Sequence, residues 1–548
     1  MSHYFRAVAI DYDSTLTESG PPDLRVVDAI AAFRRTRGRV LLVTGRILNE
    51  LRQVWPAVES AVDAIVAENG AVIWLPGAGA RTVAQPVPAE LADALIARGV
   101  PLARGNVLLA SDTAWDAVAQ EQIGRLGLEV QLVHNRSALM LLPSGVSKGT
   151  GLLEALDDLG ISRHSTVAVG DAENDHSLLE TCEIGVAVAN AVPSLQVHAD
   201  VVLREPDGAG VCSLLQGAIL AGSVRVQPKR WQIRIGTAPD GSPVTLPGSQ
   251  ANLLITGGAA TGKSHLAGLV IERLAAMGYS AWVIDPEGDH VGLGTLRDVV
   301  VRAIPPSPAG APRDAPPSPS VTTVFDLSAQ PPEERAGCCS RLLAAAARAR
   351  KAAAVPHWVV FDEAHLVPDA FSILQGTAER PPTGVCLVTY HPGDLHRETF
   401  DGIDYVLTLR EWTAELIDRS GAQPFVPDAR RSAHVRHWHK YLTAVLPHHQ
   451  RFFFRSAEGL TGASAANIPE FHHELERCEP AVLLHHAPAH DFSRWIELVL
   501  QDPELASEFR AIEERIAGGA EADVEPARRD LLAGIERRYR EPVGAAPG

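Results

Sequence analysis

The chain has 548 residues, of which 46% are apolar and 21% charged, with a formal net charge of -17. That length exceeds a single core and predicts about three or four domains, and the composition is that of a folded protein rather than a disordered one. The acidic excess excludes a surface built as a whole to coat DNA or RNA, although it leaves room for a local basic channel. No apolar run reaches the roughly eighteen residues needed to cross a bilayer, so no membrane role is expected. The 6 cysteines are scattered without metal-ligand spacing, and the opening MSHYFRAVAI runs straight into a strand with no secretory pattern. Reduced thiols and a cytoplasmic setting are the expectation.

Taken in chain order, short apolar runs alternate with amphipathic stretches from residue 4 to residue 220. FRAVAI, VLLVTG, AIVAENG and VAVG read as buried strands ending in polar loops, the α/β pattern of a parallel sheet. The first strand delivers Asp11-Tyr12-Asp13-Ser14-Thr15 at its C-terminal end, where ligand sites of parallel sheets lie. Two carboxylates one residue apart suit phosphoryl transfer, in which one attacks phosphorus while the other protonates the leaving oxygen. A carboxylate approaching a phosphate meets like charge, so Mg2+ with oxygen ligands is required. Later strand ends supply Thr44 in LLVTGR, Lys148 in GVSKGTGL, and carboxylates in Gly170-Asp171-Ala172-Glu173-Asn174-Asp175.

These elements in this order resemble the haloacid dehalogenase superfamily, over residues 4–220. Ala67-Glu68-Asn69-Gly70-Ala71 and LMLLPSGVSKGTGL resemble the branch with an inserted α/β cap, which includes archaeal-type phosphoglycolate and sucrose-phosphate phosphatases. The resemblance implies a Rossmann-like α/β domain with its cap at residues 75–140. It implies Asp11 as nucleophile and metal ligand, and Asp13 as acid/base and, through its carbonyl, metal ligand. Thr44, Gly45, Lys148 and Asn174 would bind phosphate or substrate, and Asp171 and Asp175 would hold Mg2+.

Residues 221–250 are turn-rich and read as a small β element or linker. A second α/β pattern follows, with NLLITGG, SAWVID, WVVFDEA and VCLVTY as strands. Gly257-Gly258-Ala259-Ala260-Thr261-Gly262-Lys263-Ser264 matches a phosphate-binding loop between a strand and a helix, where backbone amides can cradle phosphates. Lys263 would reach the phosphates of ATP and Ser264 would hold Mg2+. Asp362 closes a later apolar strand as the partner of the Mg2+ shell, and Glu363 is placed to polarise the attacking water. With Ile284-Asp285-Pro286-Glu287-Gly288-Asp289-His290 and Leu387-Val388-Thr389-Tyr390-His391-Pro392, this order resembles HerA/FtsK-type ATPases over residues 230–412. That family carries a glutamine sensor near Tyr390 or His391; here Thr389 is what fits. Arg380 and Arg410 are candidate arginine fingers.

The proline-rich stretch 304–320 reads as an exposed loop inside this unit. Beyond residue 426 the sequence turns helical, and its pairs His448-His449, His472-His473 and His485-His486 lack the ligand set of a zinc site. The expected organisation is therefore a capped phosphatase (1–220), a β element (221–250), a P-loop ATPase (251–425) and a helical accessory region (426–548). The leading functional reading is an Mg2+-dependent phosphomonoester phosphatase fused to an ATP-hydrolysing module, acting on a small phosphorylated metabolite, a sugar or acid phosphate. The alternative is a DNA-acting motor whose phosphatase trims ends or nucleotides, against which net charge counts. Ring-forming relatives imply a homo-oligomer.

Overall fold

The computed structural model describes residues 4–258, 261–305, 318–376, 382–410, 413–432, 446, 448, 451–500, 502–518 and 524–539. Most of the proline-rich stretch, the loop residues Ala259 and Ala260, Arg380 and the side chain of Arg410 lie outside them.

The first unit contains β1 (Ala7–Asp11), β2 (Arg39–Val43), β3 (Ala64–Ala67), β4 (Val72–Leu75) and β5 (Gly79–Thr82). There follow β6 (Ala103–Arg104), β7 (Leu109–Asp112), β8 (Val130–Asn135) and β9 (Ala138–Pro143). The unit closes with β10 (Thr166–Gly170), β11 (Ile184–Ala187) and β12 (Val201–Val202). An eight-stranded sheet has the order β12-β11-β10-β1-β2-β3-β4-β5, and β6-β7-β9-β8 form a separate four-stranded sheet. β1 is buried along its whole length between parallel β10 and β2, which is why its residues read as a continuous apolar run.

The smaller sheet, with helices Ala89–Ala97 and Asp116–Leu126, packs round its own core of Leu91, Leu95, Leu109 and Leu141. One expectation shifts here. Residues 79–82, assigned to the cap, instead pair antiparallel with β4 (Val72↔Thr82) and extend the main sheet.

The second unit contains β13 (Gln232–Thr237), β14 (Pro243–Pro247), β15 (Asn252–Gly257), β16 (Ala281–Asp285), β17 (Val299–Ala303) and β18 (Thr322–Asp326). It continues with β19 (Trp358–Phe361), β20 (Val385–Thr389), β21 (Tyr405–Arg410), β22 (Thr413–Asp418) and β23 (Gly421–Pro427). Their eleven-stranded sheet has the order β14-β13-β23-β22-β21-β15-β20-β19-β16-β18-β17. From β21 to β17 every neighbouring pair is parallel; the remainder is antiparallel. The stretch expected as a linker thus forms the rim of this sheet. Its alternating Ile233, Ile235, Val244 and Leu246 bury against the same core as helix Lys263–Ala276.

The last described segment pairs β24 (Phe452–Ser456) with β25 (Gly459–Ala465). Helices Ile468–Arg477, Pro503–Gly518 and Val524–Tyr539 close over a core that includes Phe452, Phe471, Phe492 and Phe509. No helix among the described residues is long and apolar enough to cross a membrane.

The two α/β units meet in a polar seam. Buried Glu183 accepts a hydrogen bond from Tyr279 Oη at 2.8 Å, lies 2.7 Å from His164 Nδ1, and accepts from the Ser249 hydroxyl. His164 stacks on Tyr279 with ring centroids 3.7 Å apart, and Arg163 donates to the Met277 carbonyl at 2.7 Å. Ser165 lies 3.3 Å from His357 Nε2, whose Nδ1 accepts from the Ser280 amide at 2.9 Å. His164 and Ser165 precede β10, while Ser249, Ser280 and His357 precede β15, β16 and β19. The seam therefore joins the N-terminal edges of both parallel sheets.

Candidate active site

At the opposite edge of the first sheet, the C-terminal end, β1 presents Asp11 and β10 leads into Asp171 and Asp175. These three buried carboxylates offer ligand atoms within 4.8 Å of one another. Lys148 opens helix Lys148–Asp158, which Ser147 and Thr150 cap reciprocally. Its ammonium, sealed from solvent, donates to Asp11 Oδ1 at 2.6 Å and to Asp175 Oδ1 at 2.6 Å. The other oxygen of Asp175 accepts from the amides of Asp171 (2.9 Å) and Ala172 (3.0 Å), which fixes the acidic turn. Asp171 Oδ1 accepts from Thr15 Oγ1 at 3.0 Å. Gly70 lets the chain pass close to this helix, since a Cβ there would lie 1.9 Å from the Ser147 carbonyl oxygen.

The charges are strongly coupled. Burial first, and the Asp175 charge second, push the Asp11 carboxyl well above its usual range, and the same two causes raise Asp171. Burial alone would lower the Lys148 ammonium, but Asp11 and Asp175 outweigh it and hold it above its ordinary value. Three hard oxygen donors crowded in a buried site, with one ammonium among them, fit a divalent cation such as Mg2+.

Of the other expected residues, Thr44 is fully buried and its hydroxyl accepts from the Arg46 amide at 3.1 Å. Gly45 faces the cap: a Cβ there would meet Met140 Sδ at 3.1 Å. Asn174 donates to Asn69 Oδ1 at 3.1 Å, and its own buried Oδ1 has no partner among the described residues. The Asp13 side chain stands outside the three-carboxylate group. Arg46 holds it through Nε at 2.9 Å and Nη2 at 2.6 Å.

Two arginines and one glutamate at this site were given no role from sequence. Arg46 immediately follows the Thr44-Gly45 pair, so its place at the sheet edge was readable. Arg136 occupies the turn between β8 and β9 and reaches Asp171 Oδ2 at 2.5 Å. Glu68 is wholly buried and accepts the amides of Asn106 (2.8 Å), Val107 (2.8 Å) and Leu108 (3.2 Å), tying the smaller sheet to the larger.

The second constellation gathers at the C-terminal edge of the second sheet. Gly262 has φ of 97°, a left-handed conformation that favours glycine, at the start of helix Lys263–Ala276. Lys263 Nζ donates to the Gly258 carbonyl at 2.7 Å, next to Gly257 at the end of β15. Ser264 Oγ donates to Asp289 at 2.7 Å. Asp362 follows β19 and lies 2.9 Å from His290 Nε2, a buried histidine that carried no sequence assignment although it sits in a quoted segment. Glu363 adopts φ of 53°, unusual for a non-glycine residue. Thr389 ends β20, between the strands leading to the loop and to Asp362, and its hydroxyl accepts the His391 amide at 3.1 Å. Burial pushes Asp285 up to about 7, partly offset by His290.

Residues 106–215 match the model of haloacid dehalogenase-like hydrolases. The chain belongs to that family through its N-terminal unit. Among its relatives, the phosphoglycolate phosphatase of Halorubrum lacusprofundi is 30% identical over 219 residues, covering 38% of this chain and 95% of the relative. The phosphoglycolate phosphatase of Methanothermobacter thermautotrophicus is 29% identical over 220 residues, covering 38% and 97% respectively. A solved haloacid dehalogenase-like hydrolase from B. subtilis covers 38% of this chain and 99% of its own at 18% identity, with a TM-score of 0.33.

Proposed function

We propose that the chain joins an Mg2+-dependent phosphomonoester phosphatase to an ATP-binding and hydrolysing module. The first half of this reading rests on one observation: Asp11, buried beside Asp171 and Asp175, is held by the Lys148 ammonium at 2.6 Å.

In this reading an Asp11 oxygen attacks phosphorus and the ester P–O bond breaks. The departing oxygen takes a proton from Asp13, and the phosphoryl group rests on Asp11. Asp13 then removes a proton from water as that water attacks phosphorus, releasing phosphate and restoring Asp11. Lys148 and the Thr44 hydroxyl serve the phosphoryl oxygens, with Gly45 and Asn174 lining the same pocket. Mg2+, held by Asp11, Asp171, Asp175 and the Asp13 carbonyl, would neutralise phosphate charge during attack. Arg46, which holds the Asp13 carboxylate here, would let it go when Asp13 carries the proton for the leaving oxygen. The relatives named above favour a small phosphorylated acid as substrate.

The second half rests on Gly257, Gly258, Gly262, Lys263 and Ser264 meeting Asp362, Glu363 and Thr389 at one sheet edge. There Lys263 would bind ATP phosphates, Ser264 and Asp362 would hold Mg2+, and Glu363 would polarise water. Units 1–220 and 251–425 would divide the two activities, with β13 and β14 belonging to the second.

The deciding experiment is a screen of phosphoglycolate, sugar phosphates and nucleotides, with and without ATP and DNA. Asp11→Asn should abolish phosphate release from the small substrate while ATP binding persists. Release at the wild-type rate would refute the first assignment. DNA-stimulated ATP hydrolysis with steep salt dependence would favour the motor reading instead.

A further inference from the structure

Among the described residues of the expected cap, Arg136 reaches the acidic centre with its charged end, at Asp171. It sits at φ 52° in the two-residue turn that closes β8 onto β9, with Asn135 paired to Ala138. A non-glycine residue held at positive φ carries a backbone cost, and such costs concentrate where a side chain must be aimed. The aim here is specific. A guanidinium whose side chain is 49% exposed at the hairpin tip meets an Asp171 carboxylate that is 0% exposed.

That contact competes with the cation the site is built for. Asp171 belongs to the three-carboxylate group, and a divalent ion there would repel a guanidinium 2.5 Å from the same carboxylate. Once displaced, Arg136 stands at the tip of the β8–β9 hairpin without its acidic partner. The phosphoryl group already has Lys148 and Thr44. A further cation approaching from the cap side therefore answers negative charge on the rest of the substrate, and a guanidinium fork matches a carboxylate.

We propose that Arg136 is the residue by which the cap reads its substrate: it leaves Asp171 when the cation binds and pairs with a carboxylate on the leaving group. This rests on the phosphatase reading of the first site. Arg136 also acts as a built-in competitor of the cation, because its guanidinium and Mg2+ contend for Asp171. Asn174, in the same acidic turn as Asp175, has a buried amide oxygen with no partner among the described residues.

The test compares Arg136→Ala and Arg136→Lys with the full-length wild type on two substrates, phosphoglycolate and p-nitrophenyl phosphate, alongside Mg2+ binding followed by calorimetry without substrate. Expected for Arg136→Ala is a KM for phosphoglycolate raised about 10- to 100-fold with kcat little changed. The uncharged-leaving-group ester should change by less than about threefold, and Mg2+ should bind several-fold more tightly. Arg136→Lys should recover part of the phosphoglycolate KM. Equal losses on both substrates, or unchanged phosphoglycolate kinetics with unchanged Mg2+ affinity, would overturn the proposal while leaving the phosphatase reading intact. A wild type that hydrolyses p-nitrophenyl phosphate but not phosphoglycolate would overturn this proposal alone, and one that releases phosphate from none of the screened esters would overturn both.

Discussion

The ammonium of Lys148 lies 2.6 Å from an oxygen of Asp11, and both side chains are almost wholly shielded from water. Each makes the other's burial tolerable. Lys148→Ala leaves Asp11 and Asp175 facing each other in a dry pocket. Breaking such a buried pair costs about 3–5 kcal/mol, and the loss of a positive charge at the phosphoryl group should cost about 10²- to 10³-fold in kcat. Thermal unfolding and steady-state phosphate release would check the two effects separately.

Mg2+ should stabilise the N-terminal unit, by an amount that grows with the logarithm of its concentration above Kd. At about a hundredfold excess over Kd the expected gain is about 2.7 kcal/mol, seen as a rise in Tm that a chelator reverses. Asp171→Asn removes one of the three converging carboxylates. An unchanged Mg2+-dependent Tm rise in that variant would exclude Asp171 as a ligand.

Glu68 reaches three successive amides of the cap, so its charge governs how firmly the cap is moored. In Glu68→Gln one acceptor becomes a donor facing those amides, at a cost of about 1–3 kcal/mol. Hydrogen exchange should accelerate at residues 103–112 while β1 and β10 stay protected. Uniform acceleration across the unit would instead mean that Glu68 supports the whole fold.

Asp63 supplies a pH dependence whose sign is fixed by its partners. Burial opposes its charge, but the Val40 amide and the guanidiniums of Arg34 and Arg39 outweigh that and lower its carboxyl below the ordinary value. A carboxyl lowered on folding contributes stability that is complete above its unfolded pKa, about 3.9, and is lost as pH falls through the lower folded value. Asp63→Asn should therefore unfold more easily than wild type at pH 7, and the gap should close toward pH 2. A gap that stays constant with pH would assign the effect to packing.

Lys263→Ala should abolish binding of a fluorescent ATP analogue while phosphoglycolate hydrolysis continues. Loss of both would mean that nucleotide binding controls the phosphatase.

The acids of the first site were legible because each follows an apolar strand, and a parallel sheet gathers strand ends at one edge. Asp11 and Asp171 meet for that reason, whereas the amides of Asp171 and Ala172 turn Asp175 inward and Lys148 arrives at the start of its own helix. Arg136 was not legible: its contact with Asp171 spans 35 residues and depends on the conformation of a two-residue turn. Glu68 was visible as part of a motif, but its partners are backbone amides, which no side-chain pattern announces. The stretch 221–250 read as a β element or linker, but that its β13 would join the second sheet was hidden, because the partner strand β23 lies far along the chain. His290 was hidden in plain view, since pairing between neighbouring strand ends, not spacing, brings it to Asp362.

The Glu183 seam has a geographical consequence. It fastens the two sheets at their N-terminal edges, so the carboxylate centre and the glycine loop open on opposite sides of the particle. A product leaving one centre therefore starts on the side away from the other. Mechanical coupling between the two centres would have to cross contacts such as the stack of His164 on Tyr279.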